Sequence, residues 1–104
     1  MGRRRKLKGG SRHIYGPVDS PSDIRRYNRI IRNQIRKADS RARLTELVKR
    51  SQYFYTLTFS PAWADVVRRH PEIREVAYEE YLRTARVANQ VARKHGWPAE
   101  YGPE

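Results

Sequence analysis

The chain has no cysteine among its 104 residues, so it can form neither a disulfide nor a thiolate metal site. Nor does it hold a run of about 18 apolar residues, and without one no helix spans a membrane. The opening stretch, MGRRRKLKGG, lacks the apolar segment of a secretory signal. Gly9 and Gly10 are not followed by the GKS or GKT of a phosphate loop. His13, His70 and His95 have no ligand partner three or four positions away, the spacing that a helical metal site needs. No set of groups converges for catalysis. The expectation is a protein that is not an enzyme, with no cofactor and no metal.

Acidic residues are also scarce where the cations are dense. The net charge of +12 comes from 23 Lys and Arg against 11 Asp and Glu. Residues 1 to 50 hold 16 of those cations and 4 acids, a balance of +12. Residues 51 to 104 hold 7 of each, a balance of zero. The whole excess sits in one half, the footprint of a polyanion binder with a separate packing half.

The stretch SPSDIRRYNRIIRNQIRKA, residues 20 to 38, organises the chain. Ser20 can cap a helix, Pro21 suits its first position, and Asp23 favours its positive end. At about 100° per residue, Ile24, Tyr27, Ile31, Ile35 and Ala38 share one face. Arg25, Arg29, Arg32 and Arg36 fall within about 60° on another, flanked by Arg26 and Lys37. No acid lies between residues 24 and 38. Like charges at i,i+4 repel, and a polyanion would remove that cost. A solvated basic face is the plainer alternative, but such faces usually mix signs.

Ahead of this helix, residues 1 to 19 read as a basic arm. Arg3, Arg4, Arg5, Lys6, Lys8 and Arg12 alternate with glycines and leave little to bury. After it, Asp39 or Ser40 caps a second helix over about 41–56, with Leu44, Leu47, Val48, Ser51 and Tyr55 on its apolar stripe. Arg41 and Arg43 extend the positive surface. YFYTLTF, residues 53 to 59, has strand-like composition, yet a lone strand lacks a partner, so helix to about Thr56 is the preferred reading. Ser60-Pro61 opens a helix over 61–69, and Pro71 starts the longest, over 71–95. Ile73, Val76, Ala77, Glu80, Thr84, Val87, Val91 and His95 track one face of it. Gly96 supplies the stop, and residues 97 to 104 form a short tail. The expected fold is all-α: a basic arm, a body of about four helices over 20–96, and a tail.

A domain of this length buries under about 70 % of its unfolded surface. Its aromatics are therefore in surplus. Tyr53, Phe54, Phe59, Trp63, Trp97 and Tyr101 are the candidate subunit interface. In any regular structure Phe54 points away from Tyr53 and Tyr55.

The Arg-rich arm, RHIYGPVDSPSDIRRYNRIIRN and the aromatic segment YFYTLTFSPAWADVV resemble the major capsid proteins of filamentous archaeal viruses, the rod-shaped and lipid-enveloped groups with linear double-stranded DNA. The resemblance spans most of the chain and is one of layout. It implies a small helical fold that dimerises, with N-terminal helices that wrap DNA and hold it in A-form inside a filament. The location it implies is a virion; a cellular protein of this kind would be in the cytoplasm, or nucleoid- or ribosome-associated. Residues Arg3 to Arg12 and the Arg25, Arg29, Arg32, Arg36 face would then contact DNA. Independently of that, a coat for any sequence needs phosphate contacts and not base readout. The partners expected are double-stranded DNA, with RNA as the alternative, and a second copy or a paralogous subunit. A ribosomal or other RNA-binding protein, or a small chromatin protein, is the competing class.

Overall fold

The computed structural model describes residues 18–103. Among them there are helices and no strand. In order come α1 (Pro21–Arg36), α2 (Arg41–Leu57), a 3-10 turn (Pro61–Trp63), α3 (Ala64–Arg69) and α4 (Ile73–His95). The basic arm expected over residues 1–19 lies, but for Val18 and Asp19, outside the described residues.

α1 and α2 form a helical hairpin, and α4 packs across both. The stripe read from the sequence is the one that is buried: Ile24, Tyr27, Ile31 and Ile35 are almost wholly enclosed. Each such side chain contributes about 1.5–3 kcal/mol on leaving water. They meet Leu44, Leu47 and Val48 of α2 and Ile73, Val76, Ala77, Ala88 and Ala92 of α4 in one core. The small residues Ala85, Ala88 and Ala92 are buried on α4, which permits close approach of its neighbours.

The helix ends depart from the sequence reading in detail. The Ser20 hydroxyl makes no bond to a helix N–H; it donates to Asp23 Oδ2 at 3.2 Å instead. That carboxylate also accepts the Asp19 backbone N–H at 3.1 Å, so the third residue of the helix closes its start. At α2, Ser40 does cap, accepting the Arg43 N–H at 3.1 Å. α4 starts at Ile73 and not at Pro71, because residues 71–72 form a turn in which the Ile73 N–H bonds to His70 O at 2.9 Å. Gly96 adopts φ 75°, a conformation that glycine takes without strain. It lets Trp97 donate to Ala92 O at 2.8 Å and close the helix. Residues 53 to 57 are helical, as preferred over the strand.

Phe54 belongs to the core, not to an interface. It is 8 % exposed and its ring stacks on Tyr27, 5.8 Å between centroids. Turned about 100° from each neighbour on the helix, it points inward, while Tyr53 is left 59 % exposed. The C-terminal tail is likewise tied down. The Tyr101 backbone N–H donates to Asn89 Oδ1 at 2.9 Å, Asn89 Nδ2 donates to Tyr101 O at 3.0 Å, and the Tyr101 hydroxyl shares a 2.8 Å bond with Thr45. Trp97 is partly buried and stacked on exposed His95, with 4.1 Å between rings. Both aromatics are thus engaged within the chain.

Candidate nucleic-acid interface

α1 sorts its cations by their distance in arc from the buried stripe. Arg25, Arg36 and Arg29 lie within about 40° of one another on the side away from the core, and all three are exposed. Among the described residues none of them has a carboxylate partner; Arg36 donates to Asn33 Oδ1 at 3.1 Å. Lys37, just past the helix end, is exposed too. Arg26 is partly neutralised by Asp23 at 3.0 Å and lies over the Tyr27 ring, 5.2 Å from its centroid.

Arg32 is not part of that exposed set, which corrects the four-arginine face read from the sequence. It lies about 20° beyond Arg25 toward Asn28, and that small rotation carries it against α4. There it is 8 % exposed and donates to Glu80 Oε1 at 2.9 Å and to the Thr84 hydroxyl at 3.2 Å. The Thr84 hydroxyl in turn donates to Asn28 Oδ1 at 3.2 Å, an atom that also accepts the Ser51 hydroxyl. Asn28 Nδ2 donates to Ile24 O at 2.9 Å. One buried polar chain therefore joins α1, α2 and α4. Burying a charge without a partner is costly, and here each polar group has one. The other Glu80 oxygen faces exposed Arg83 at 3.7 Å, so Arg83 stands at the α1–α4 seam.

The cations of α2 are weaker contributors than the sequence implies. Arg43 and Arg50 share Glu46, at 2.9 and 3.5 Å, and Arg41 approaches Glu100 at 3.9 Å. Arg3, Arg4, Arg5, Lys6, Lys8 and Arg12 lie outside the described residues. On α1 and its end the described chain presents one row of exposed cations, Arg25, Arg29, Arg36 and Lys37, spanning about 18 Å at 1.5 Å rise per residue.

Asp23 is held in its charged form at the root of this row. The Asp19 N–H, then the Ser20 hydroxyl and Arg26, lower its pKa from the ordinary carboxylate value against the opposing effect of burial. Burial, with the nearby Tyr78, raises the Tyr81 phenol. Among the described residues no group of His, Asp and Glu is placed to hold a metal ion, and no helix is long and apolar enough to cross a membrane.

The sequence reading left out Arg74. It donates to Thr58 O at 2.7 Å and covers the Phe59 ring, its guanidinium carbon 4.2 Å from the centroid. Nothing in its spacing announces this, since Thr58 is sixteen residues away. Compared with family models, curated proteins and solved structures, the chain matches none.

Proposed function

We propose that the chain is a structural, non-catalytic protein that coats double-stranded DNA without regard to sequence and assembles with further copies of itself into a filament, as a capsid subunit does. The observation that carries this reading is the α1 rod: Arg25, Arg29 and Arg36 stand in a row on the solvent side with no carboxylate among the described residues to neutralise them. Repulsion along such a row is tolerated at small cost by the free protein and is relieved by phosphates. Guanidinium forks suit phosphate oxygens and carry no base preference. The six cations of residues 3 to 12 would add to the same grip. The body behind the rod is a packed core, so the rod is held rigid and presented as a unit.

The test is electron microscopy of the purified protein with and without linear duplex DNA. Regular filaments that need the duplex and dissolve on raising salt are the expected result. Binding that survives high salt, or that prefers one sequence over scrambled competitors, would overturn the reading. Irregular single-copy binding to structured RNA, with no filament on DNA, would place the chain among RNA-binding proteins instead.

A further inference from the structure

From Phe59 to Glu72, fourteen residues in a row, none is buried, although Thr58 and Ile73 on either side are almost wholly enclosed. The 3-10 turn and the six-residue α3 lie in this stretch and bury no residue. Trp63, Val66 and Val67 recur at helical spacing and rest against the core half-buried. Pro61 and Pro71 stand near the two ends, and the residues before them, Ser60 and His70, are both non-helical. The polar side-chain bonds of α3 are its own: Arg68 pairs with Asp65, and Arg69 Nε donates to Asp65 O at 3.5 Å. Among the described residues, no side chain from 60 to 72 makes a hydrogen bond or ion pair to α1, α2 or α4.

Arg74 supplies the tie to the body. It donates to Thr58 O at 2.7 Å and holds the Phe59 ring beneath its guanidinium, 4.2 Å from carbon to centroid. Tyr55 meets the same ring edge-on, 5.2 Å between centroids. This joint is imperfect. Ser60 Oγ and Arg74 Nε are both closed off from solvent without a hydrogen-bond partner, and both residues border one crevice with Pro61, Ala64 and Val67. A buried polar group left unpaired is costly, and water removes that cost on opening.

We propose that residues 59–72 form a flap that opens as one unit, hinged near its two prolines and released at the Arg74 joint, while α1, α2 and α4 stay closed. Partial openings of this kind occur where few apolar contacts are buried. Closed, the flap covers the inward side of Trp63, Val66 and Val67. Open, it bares them and hydrates Ser60 and Arg74. Two adjacent residues at the joint therefore act in opposite directions. The Phe59 ring favours the closed state, and the stranded Ser60 hydroxyl favours the open one. The flap uses no residue of the α1 row and stands apart from nucleic-acid binding.

Amide hydrogen exchange of the full chain, followed residue by residue by NMR, is the test. The Trp63 and His70 amides report the flap, because they bond inside it to Ser60 O at 3.1 Å and Val66 O at 2.9 Å. Ile31, Leu47 and Ala88, fully buried, report the core. The flap amides should exchange at least about a hundredfold faster than the core amides, with one shared protection and one shared dependence on low urea. Phe59→Ala should speed flap exchange by at least about fivefold, since the ring under Arg74 is lost. Ser60→Ala should slow it by at least about fivefold, since the closed state no longer strands a hydroxyl. Ser60 makes no capping bond, so that variant removes no helix cap. In both variants the core amides should not move. Flap amides as slow as the core would overturn the inference. So would unequal protection of Trp63 and His70, the mark of separate fraying, or a Ser60→Ala flap that opens as readily as native.

Discussion

Arg32 and Glu80, 48 residues apart in the chain, meet at 2.9 Å in the interior, with side chains that are about one-tenth exposed or less. The pair converts one member of an apparent DNA-binding row into a joint between α1 and α4. A buried ion pair seldom adds net stability over an apolar pair of equal size, but breaking one is expensive.

Arg32→Gln should therefore destabilise the protein by about 3–5 kcal/mol, since it leaves Glu80 buried and without its main partner. Arg29→Gln, on the exposed row, should stay within about 0.5 kcal/mol of native. Urea unfolding of both variants checks the contrast. Restoring stability in Arg32→Met with Glu80→Leu would show that the penalty comes from the orphaned charge. Equal stabilities of Arg32→Gln and Arg29→Gln would contradict the burial.

For nucleic-acid binding the ranking reverses. Arg25→Gln, Arg29→Gln and Arg36→Gln together should lower the salt slope of DNA affinity by about one for each phosphate no longer held. Lysine at the three positions should rescue in part, keeping charge but not the fork. The matched control is Arg86→Gln, Arg93→Gln and Lys94→Gln, exposed cations of α4. Arg83 is unsuitable as a control because it faces Glu80 at the α1–α4 seam. If control and row variants reduce the slope equally, total charge governs binding and the row does not.

Asn28 is the hub of the buried polar chain, bonded to Ile24 O and to the hydroxyls of Ser51 and Thr84. Asn28→Leu is close in size yet strands those partners. A loss of about 1–3 kcal/mol is expected for each group left unsatisfied. Thermal melting of Asn28→Leu, and of Asn28→Leu with Ser51→Ala and Thr84→Val, separates the two contributions. The triple variant should recover much of the loss, since an apolar set of similar shape strands fewer groups.

Asp23 gives a pH signature with a definite sign. Its pKa is lowered in the folded state, chiefly by the Asp19 N–H, so the folded protein favours the carboxylate. The contribution is fully present above the unfolded value of about 3.9 and is lost as pH falls through the lowered folded value. Asp23→Asn should cost about 1 kcal/mol at neutral pH. The gap from native should close below that window. A gap that is constant from pH 7 to pH 2 would mean that the carboxylate charge has no part in closing the helix start.

The helices were decided by the sequence alone, because period and punctuation are local properties. Ile24, Tyr27, Ile31 and Ile35 fix the buried side of α1 whatever they pack against, and Gly96 ends α4 through its own backbone. The exposed row of Arg25, Arg29 and Arg36 was legible for the same reason. Its fourth apparent member was not. Arg32 sits about 20° from Arg25 on the wheel, at the border of the apolar arc, and its burial depends on a carboxylate 48 residues away. A weak signal was present: Ser51, Glu80 and Thr84 are polar residues on apolar stripes, and such positions need buried partners. Which partners they take is set by how α1, α2 and α4 cross. Phe54 shows the same division. That it faces away from Tyr53 and Tyr55 follows from the helical period, but that this direction is inward depends on where α1 lies. Arg74 of α4 likewise meets Thr58 and Phe59, just past the end of α2. No local rule could assemble them; only the packing of the helices does.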